Sequence, residues 1–127
     1  MKLLLDTHIV LWFFGNTEKL SKETLRAIIE PLNEKFISIA SAWELTIKIS
    51  LGKLTFEGGI NNFFTMINEN GFELLPVKED HIKRLETLPF LHHDPFDRLL
   101  IASAMADGMI LVSADTNIKQ YKISSLW

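Results

Sequence analysis

The sequence contains no cysteine. Disulfides and thiolate metal sites are therefore excluded, and stability has to come from an ordinary apolar core. Nor is there an excess of positive charge: 13 Lys and Arg stand against 16 Asp and Glu, for a net charge of −3. That balance lacks the chain-wide basic footprint of a nucleic-acid binder, so any phosphate attraction must be local or carried by a bound cation. No apolar run reaches membrane-spanning length, and "MKLLLD" places an acid too early for a signal-peptide core. A cytoplasmic protein with no membrane partner is expected. Linkers, repeats and low-complexity segments are missing too, so residues 1–127 read as a single domain. What is present is a hydrophobic content of 47%. A chain of this size buries roughly two-thirds of its unfolded surface, enough for a real core.

The first informative stretch is "KLLLDTHIVLWFF", residues 2–14. Its leucines predict a strand buried on both faces, yet the strand ends in Asp6. An unpaired charge there costs several kcal/mol or shifts its pKa. Further along, a short helix is expected over 7–14, and a helix over 21–30 with Ser21 as N-cap. A strand follows at 35–40 and a helix at 41–54. "INNFFTMINENG" (60–71) places Ile60, Phe63, Phe64 and Ile67 on one helical face, with Gly71 just past its end. A third strand covers 72–77 and a helix 78–88. "DPFDRLLIASAMADG" (94–108) is the clearest helix, "MILVSAD" (109–115) a fourth buried strand, and "YKISSLW" a short fifth. Strands alternating with helices predict a three-layer α/β/α sandwich around a central parallel sheet of four to five strands.

In open parallel sheets functional groups collect beyond the carboxyl ends of the strands, near the point where strand order reverses. Asp6 ends the first strand and Asp115 follows the fourth. Glu44 lies early in the helix after the second strand, and Asp97 in the first turn of the helix before the fourth. Should the first and fourth strands be neighbours, these carboxylates face one crevice. Each also has a plainer reading. Asp6 caps the helix after it; Ser41-x-x-Glu44 is a capping box, and Glu44 pairs with Lys48. Asp94 is the N-cap of its helix, with Pro95 at the first position and Asp97 facing the dipole. Asp115 is a turn residue. As a cluster the acids repel, at about 4 kcal/mol per pair 4 Å apart in an effective dielectric near 20. Protons or a cation must neutralise them, and carboxylate oxygens with water suit Mg²⁺ or Mn²⁺. Metal-activated water attacking a phosphodiester is the chemistry then available.

"LLLDTH", "SAWELTIK", "HHDPFDRLLIASA" and "ILVSAD", in this order and spacing, resemble the PIN-domain ribonucleases, specifically the VapC-type toxins of type II toxin–antitoxin pairs. The resemblance runs through nearly the whole chain, with "DPFDRLLIA" as its most specific part. It implies a PIN-like fold, an Mg²⁺-dependent endoribonuclease, a neutralising antitoxin, an RNA substrate and a homodimer. It also implies Asp6, Glu44, Asp97 and Asp115 as the catalytic and metal-holding acids. Ser113 stands where that family usually has threonine.

Around these acids, Thr7 either hydrogen-bonds a water on such an ion or is a second cap residue. Arg98 contacts substrate phosphate or pairs with Asp94 or Asp97, the pairing being the expected role. Lys48 holds Glu44 or reaches RNA. His92 and His93 are expected to face solvent or bond locally, because imidazole does not suit magnesium. Trp12, Phe13 and Phe14 are read mainly as core, with one or two free to line an interface. Competing readings are a receiver-like or phosphatase-like domain with an acidic metal pocket, or a binding module whose acids are all caps. The dehalogenase-type phosphatase pattern needs Asp-x-Asp, and His8 occupies its second position.

Overall fold

The structure is a computed structural model that describes residues 1–127. Its centre is β1 (Lys2–Leu5), whose three leucines are completely buried. β1 pairs in parallel with β2 (Glu34–Ser38) on one side and β4 (Ile110–Val112) on the other. β3 (Glu73–Leu75) and β5 (Ser125–Leu126) complete the sheet at its edges, in the order β3-β2-β1-β4-β5, all parallel. Parallel strands need crossovers that cover both faces, which is why β1 carries no polar alternation.

Alternation of side chains along β1 sends Leu3 and Leu5 to one face and Leu4 to the other. The first face is packed by α1 (Thr7–Gly15), α2 (Lys22–Ile29), α3 (Ile39–Ser50) and α4 (Gly59–Glu69), through Ile9, Val10, Ile28, Leu45, Phe63 and Ile67. The second is packed chiefly by α6 (Pro95–Asp107), through Leu100, Ile101 and Ala104, with α5 (Glu79–Glu86) against α6. Two cores thus flank one sheet, the expected α/β/α sandwich.

Several boundaries differ from expectation for local reasons. α3 begins at Ile39 because the Ser38 hydroxyl accepts the Ala40 N–H at 3.1 Å. Ser41 therefore lies inside the helix, its buried hydroxyl unpartnered, and the Ser41–Glu44 capping box does not form. β3 stops at Leu75 because Pro76 has no N–H to offer the ladder. Short 3₁₀ turns at Thr17–Lys19 and Thr116–Gln120 add to the expected elements. α6 follows the expected grammar: Asp94 accepts from Phe96 and Asp97 N–H, Pro95 sits at N1, and Gly108 ends the helix at φ 65°. The aromatics of α1 are half-buried: Phe13 and Phe14 stand edge-on to Phe72, and Trp12 lies 5.9 Å from Trp127.

A buried polar joint ties α5 to α6. The fully buried His81 accepts the Lys78 N–H on Nδ1 at 3.2 Å, so its proton sits on Nε2, 2.9 Å from Asp107 Oδ2. Lys78 Nζ reaches the same oxygen at 3.1 Å. Burial pushes the Asp107 carboxyl up, but the bonds from His81 and Lys78 outweigh it and hold it below the ordinary 3.8. A depressed folded pKa means stability fully present above the unfolded value and lost as pH falls through the folded one. Asp107→Asn should therefore cost about 1–2 kcal/mol at pH 7 in urea unfolding, with the deficit shrinking below pH 4.

Candidate functional site

Strand order reverses between β1 and β4: the chain steps from β1 through β2 to β3, then returns to the far side of β1. The carboxyl ends of these two strands are stitched by the Asp6 N–H donating to Val112 O at 3.0 Å. Asp6 is thus held at the crevice where open α/β sheets place ligands. Its two oxygens are both engaged. Oδ1 caps α1 by accepting the Ile9 N–H at 3.1 Å, and Oδ2 accepts the Ser113 hydroxyl. The cap reading and the crevice reading of Asp6 are both correct. Ser113 also accepts the Asp115 N–H at 3.1 Å, and Asp115 caps the turn after β4 through the Asn117 N–H.

Glu44 reaches the same place from α3. Thr7 donates to its Oε1 at 2.7 Å and Lys48 Nζ stands 3.4 Å from its Oε2. Asp97 comes from the first turn of α6 and, unlike Asp94, caps nothing. A cleft of about 340 Å³ gathers Asp6, Glu44, Asp94, Asp97 and Asp115 on its lining, with Lys48 as its one lysine. Burial pushes the Asp97 carboxyl up, and the neighbouring Asp94, Asp115, Asp6 and Glu44 push it further, to about 7. Burial likewise raises Asp6, outweighing the bonds from Ser113 and Ile9 that favour its charge.

These donors are hard oxygens under mutual repulsion, the chemistry that suits a divalent cation such as Mg²⁺. No three of them converge tightly enough to chelate an ion between themselves. Two are turned toward other partners, Glu44 to Thr7 and Lys48, and Asp6 to Ser113. The fit is one of donor chemistry, and an ion held here would take its remaining ligands from water, as magnesium usually does.

The neighbouring residues divide. Thr7 tethers Glu44 rather than serving as a second cap, and Lys48 holds the same carboxylate from the cleft wall. Arg98 does not form the pair expected with Asp94 or Asp97. It is buried and donates to Pro89 O, Leu88 O and the Tyr121 hydroxyl, away from both Asp94 and Asp97. His93 is exposed, as expected, but the His92 side chain is largely buried against Tyr121, 29 residues away, with Nε2 3.4 Å from Asp97 Oδ2. Reading the sequence also missed His8 and Trp12 on the cleft wall. Their i, i+4 spacing in the helix after Asp6 was the available signal.

A family model for the PIN domain matches residues 3–123. No curated protein matches the chain in sequence. Among solved structures, the chain is similar to VapBC2 from Rickettsia felis bound to a DNA fragment from their promoter, with 16% identity and a TM-score of 0.77 over 99% of this chain and 98% of that one. It is similar to VapBC-1 from nontypeable Haemophilus influenzae, with 16% identity and a TM-score of 0.68 over 99% and 97% of the chains. The PIN domain endonuclease Utp24 gives 17% identity and a TM-score of 0.54 over 94% and 74%. At such identities these structures establish the shared fold.

A carboxyl raised from 3.8 to about 7 binds its proton more tightly folded than unfolded, so between those values stability falls as pH rises. In chelator, wild type and Asp97→Asn should be equally stable near pH 4. At pH 8 the variant should be the more stable by about 2 kcal/mol, a figure discounted for the partial exposure of Asp97. Urea unfolding at the two pH values checks this.

Proposed function

This chain belongs to the PIN-domain family, and from that premise we propose that it is a metal-dependent endoribonuclease acting as the toxin of a toxin–antitoxin pair. Its substrate is RNA, cut by hydrolysis of a phosphodiester bond in the acidic cleft. Asp6, Glu44, Asp97 and Asp115 are the catalytic acids and would hold Mg²⁺, with Mn²⁺ as a substitute. When bound, the ion activates water and offsets the charge developing on the phosphate. The chain's own residues orient the acids: Ser113 fixes one oxygen of Asp6, while Thr7 and Lys48 fix Glu44. Without the ion, a cleft of this charge would repel the phosphate it has to meet.

The observation that carries this reading is Asp97. A binding module whose acids are all caps explains Asp6, Asp94 and Asp115, each of which accepts a backbone N–H at a helix or turn start. It leaves Asp97 unexplained, since that carboxyl caps nothing and lies among the other acids, while Glu44 caps nothing and is held by Thr7 and Lys48 instead. A carboxyl left so crowded that it titrates near neutrality is a mark of a functional site. Receiver-like and phosphatase-like readings are disfavoured by the single acid at the end of β1, with His8 on the cleft wall where a second acid would stand.

The antitoxin partner is proposed from the fold's company. Besides the VapBC structures, a toxin–antitoxin complex from Klebsiella pneumoniae shares it, at a TM-score of 0.64. A homodimer is proposed on the same family grounds. A cytoplasmic location is proposed on the same family grounds, and no helix is long and apolar enough to cross a membrane.

Incubating the purified protein with total RNA tests the activity. Cleavage should require Mg²⁺ and stop with chelator. Asp97→Asn and Glu44→Gln should each cut at least about a hundredfold more slowly, the scale of losing a charge-stabilising group, while remaining folded. Cleavage that persists in chelator, or in folded Asp97→Asn at the wild-type rate, would remove the basis of the proposal.

A further inference from the structure

Arg98 follows Asp97 in sequence yet turns away from it, and its surroundings carry a consequence for Asp97. The guanidinium lies over the Phe90 ring at 3.9 Å and donates to Pro89 O at 2.7 Å, Leu88 O at 3.1 Å and the Tyr121 hydroxyl at 3.1 Å. Arginine has donors only, so the Tyr121 oxygen must accept from it. A buried tyrosine proton left without an acceptor is costly, and the acceptor within reach is His92 Nδ1 at 2.8 Å, which favours donation from the hydroxyl to that nitrogen. A ring nitrogen that accepts carries no proton, which places the proton of the neutral imidazole on Nε2. That nitrogen is buried and forms no hydrogen bond as it stands. The His92 side chain is only 10% exposed, and Nε2 points at Asp97 Oδ2 from 3.4 Å. A buried N–H left without an acceptor is costly, and the Asp97 carboxylate is the acceptor that closes the chain.

Resting on the reading of Asp97 as a functional carboxylate, we propose that His92 is a positioning residue. Its Nε2–H holds Asp97 Oδ2 and leaves the other oxygen for the cleft, while Arg98 and Tyr121 together set the tautomer that makes this possible. Arg98 thereby acts on Asp97 through two intermediaries rather than by contact. The effect is one of orientation, like the outer partners that fix ligands around metal sites.

The tautomer is read directly. Long-range ¹H–¹⁵N correlation spectra of metal-free wild-type protein at pH 8 should show His92 protonated on Nε2 alone. Tyr121→Phe keeps the ring but removes the hydroxyl, and should give a mixture of tautomers. Calorimetric titration with Mn²⁺, without RNA, supplies the second readout. His92→Ala should bind Mn²⁺ about tenfold more weakly, and His92→Gln, whose amide can place an N–H where Nε2 stood, should recover most of that loss. An Nδ1-protonated His92 in the wild type overturns the proposal, whatever the variants do. So does a folded His92→Ala that binds Mn²⁺ as tightly as the wild type. A protein with the expected tautomer and affinities that cuts no RNA would instead overturn the nuclease reading and leave the positioning role standing.

Discussion

Carboxylates that repel one another are brought to one cleft by a sheet whose strand order leaves them nowhere else to go. Asp6 ends the central strand, Asp115 follows its neighbour, and the helices packed on the two faces add Glu44 from one side and Asp97 from the other. Three of these four are partly satisfied: Asp6 by Ser113 and the start of α1, Asp115 by the turn it caps, Glu44 by Thr7 and Lys48. Asp97 has no such compensation beyond a long contact to His92, and the accumulated repulsion falls on it. A proton on Asp97 relieves that repulsion, and the divalent ion proposed for this cleft would do so with the carboxyl charged.

The stability that tolerates this strain is found elsewhere. Leu3, Leu4 and Leu5 are wholly buried because both faces of β1 are covered, and each face has its own apolar cluster. On the second face the joint of His81, Asp107 and Lys78 locks α5 onto α6, which in turn carries Asp97. Charge is therefore used in two opposite ways on α6. Near its end Asp107 is paired and its carboxyl is depressed; at its start Asp97 is crowded and its carboxyl is raised.

Element order and the buried character of β1 were legible in the chain, because a leucine run followed by an acid admits few other readings. So was the start of α6, where Asp94 and Pro95 act through local backbone chemistry alone. The start of α3 was not: Ser38 and Ser41 offer the same capping side chain, and only the end of β2 decides between them. The meeting of the acids was conditional on β1 and β4 being neighbours, a long-range pairing that no local pattern encodes. Arg98 and His92 were misread for a related reason. Their partners, Tyr121 and the carbonyls of Leu88 and Pro89, come from a loop and a turn that periodicity does not place.

The central claim is that the crowding at Asp97 is relieved by a divalent ion. The most direct measurement is the melting temperature of wild type and Asp97→Asn at pH 8 as MgCl₂ is raised at constant ionic strength, since a ligand of the folded state must stabilise it. The account predicts a rise with Mg²⁺ in the wild type and little or none in the variant. Equal response in the two proteins, or none in the wild type, would contradict it.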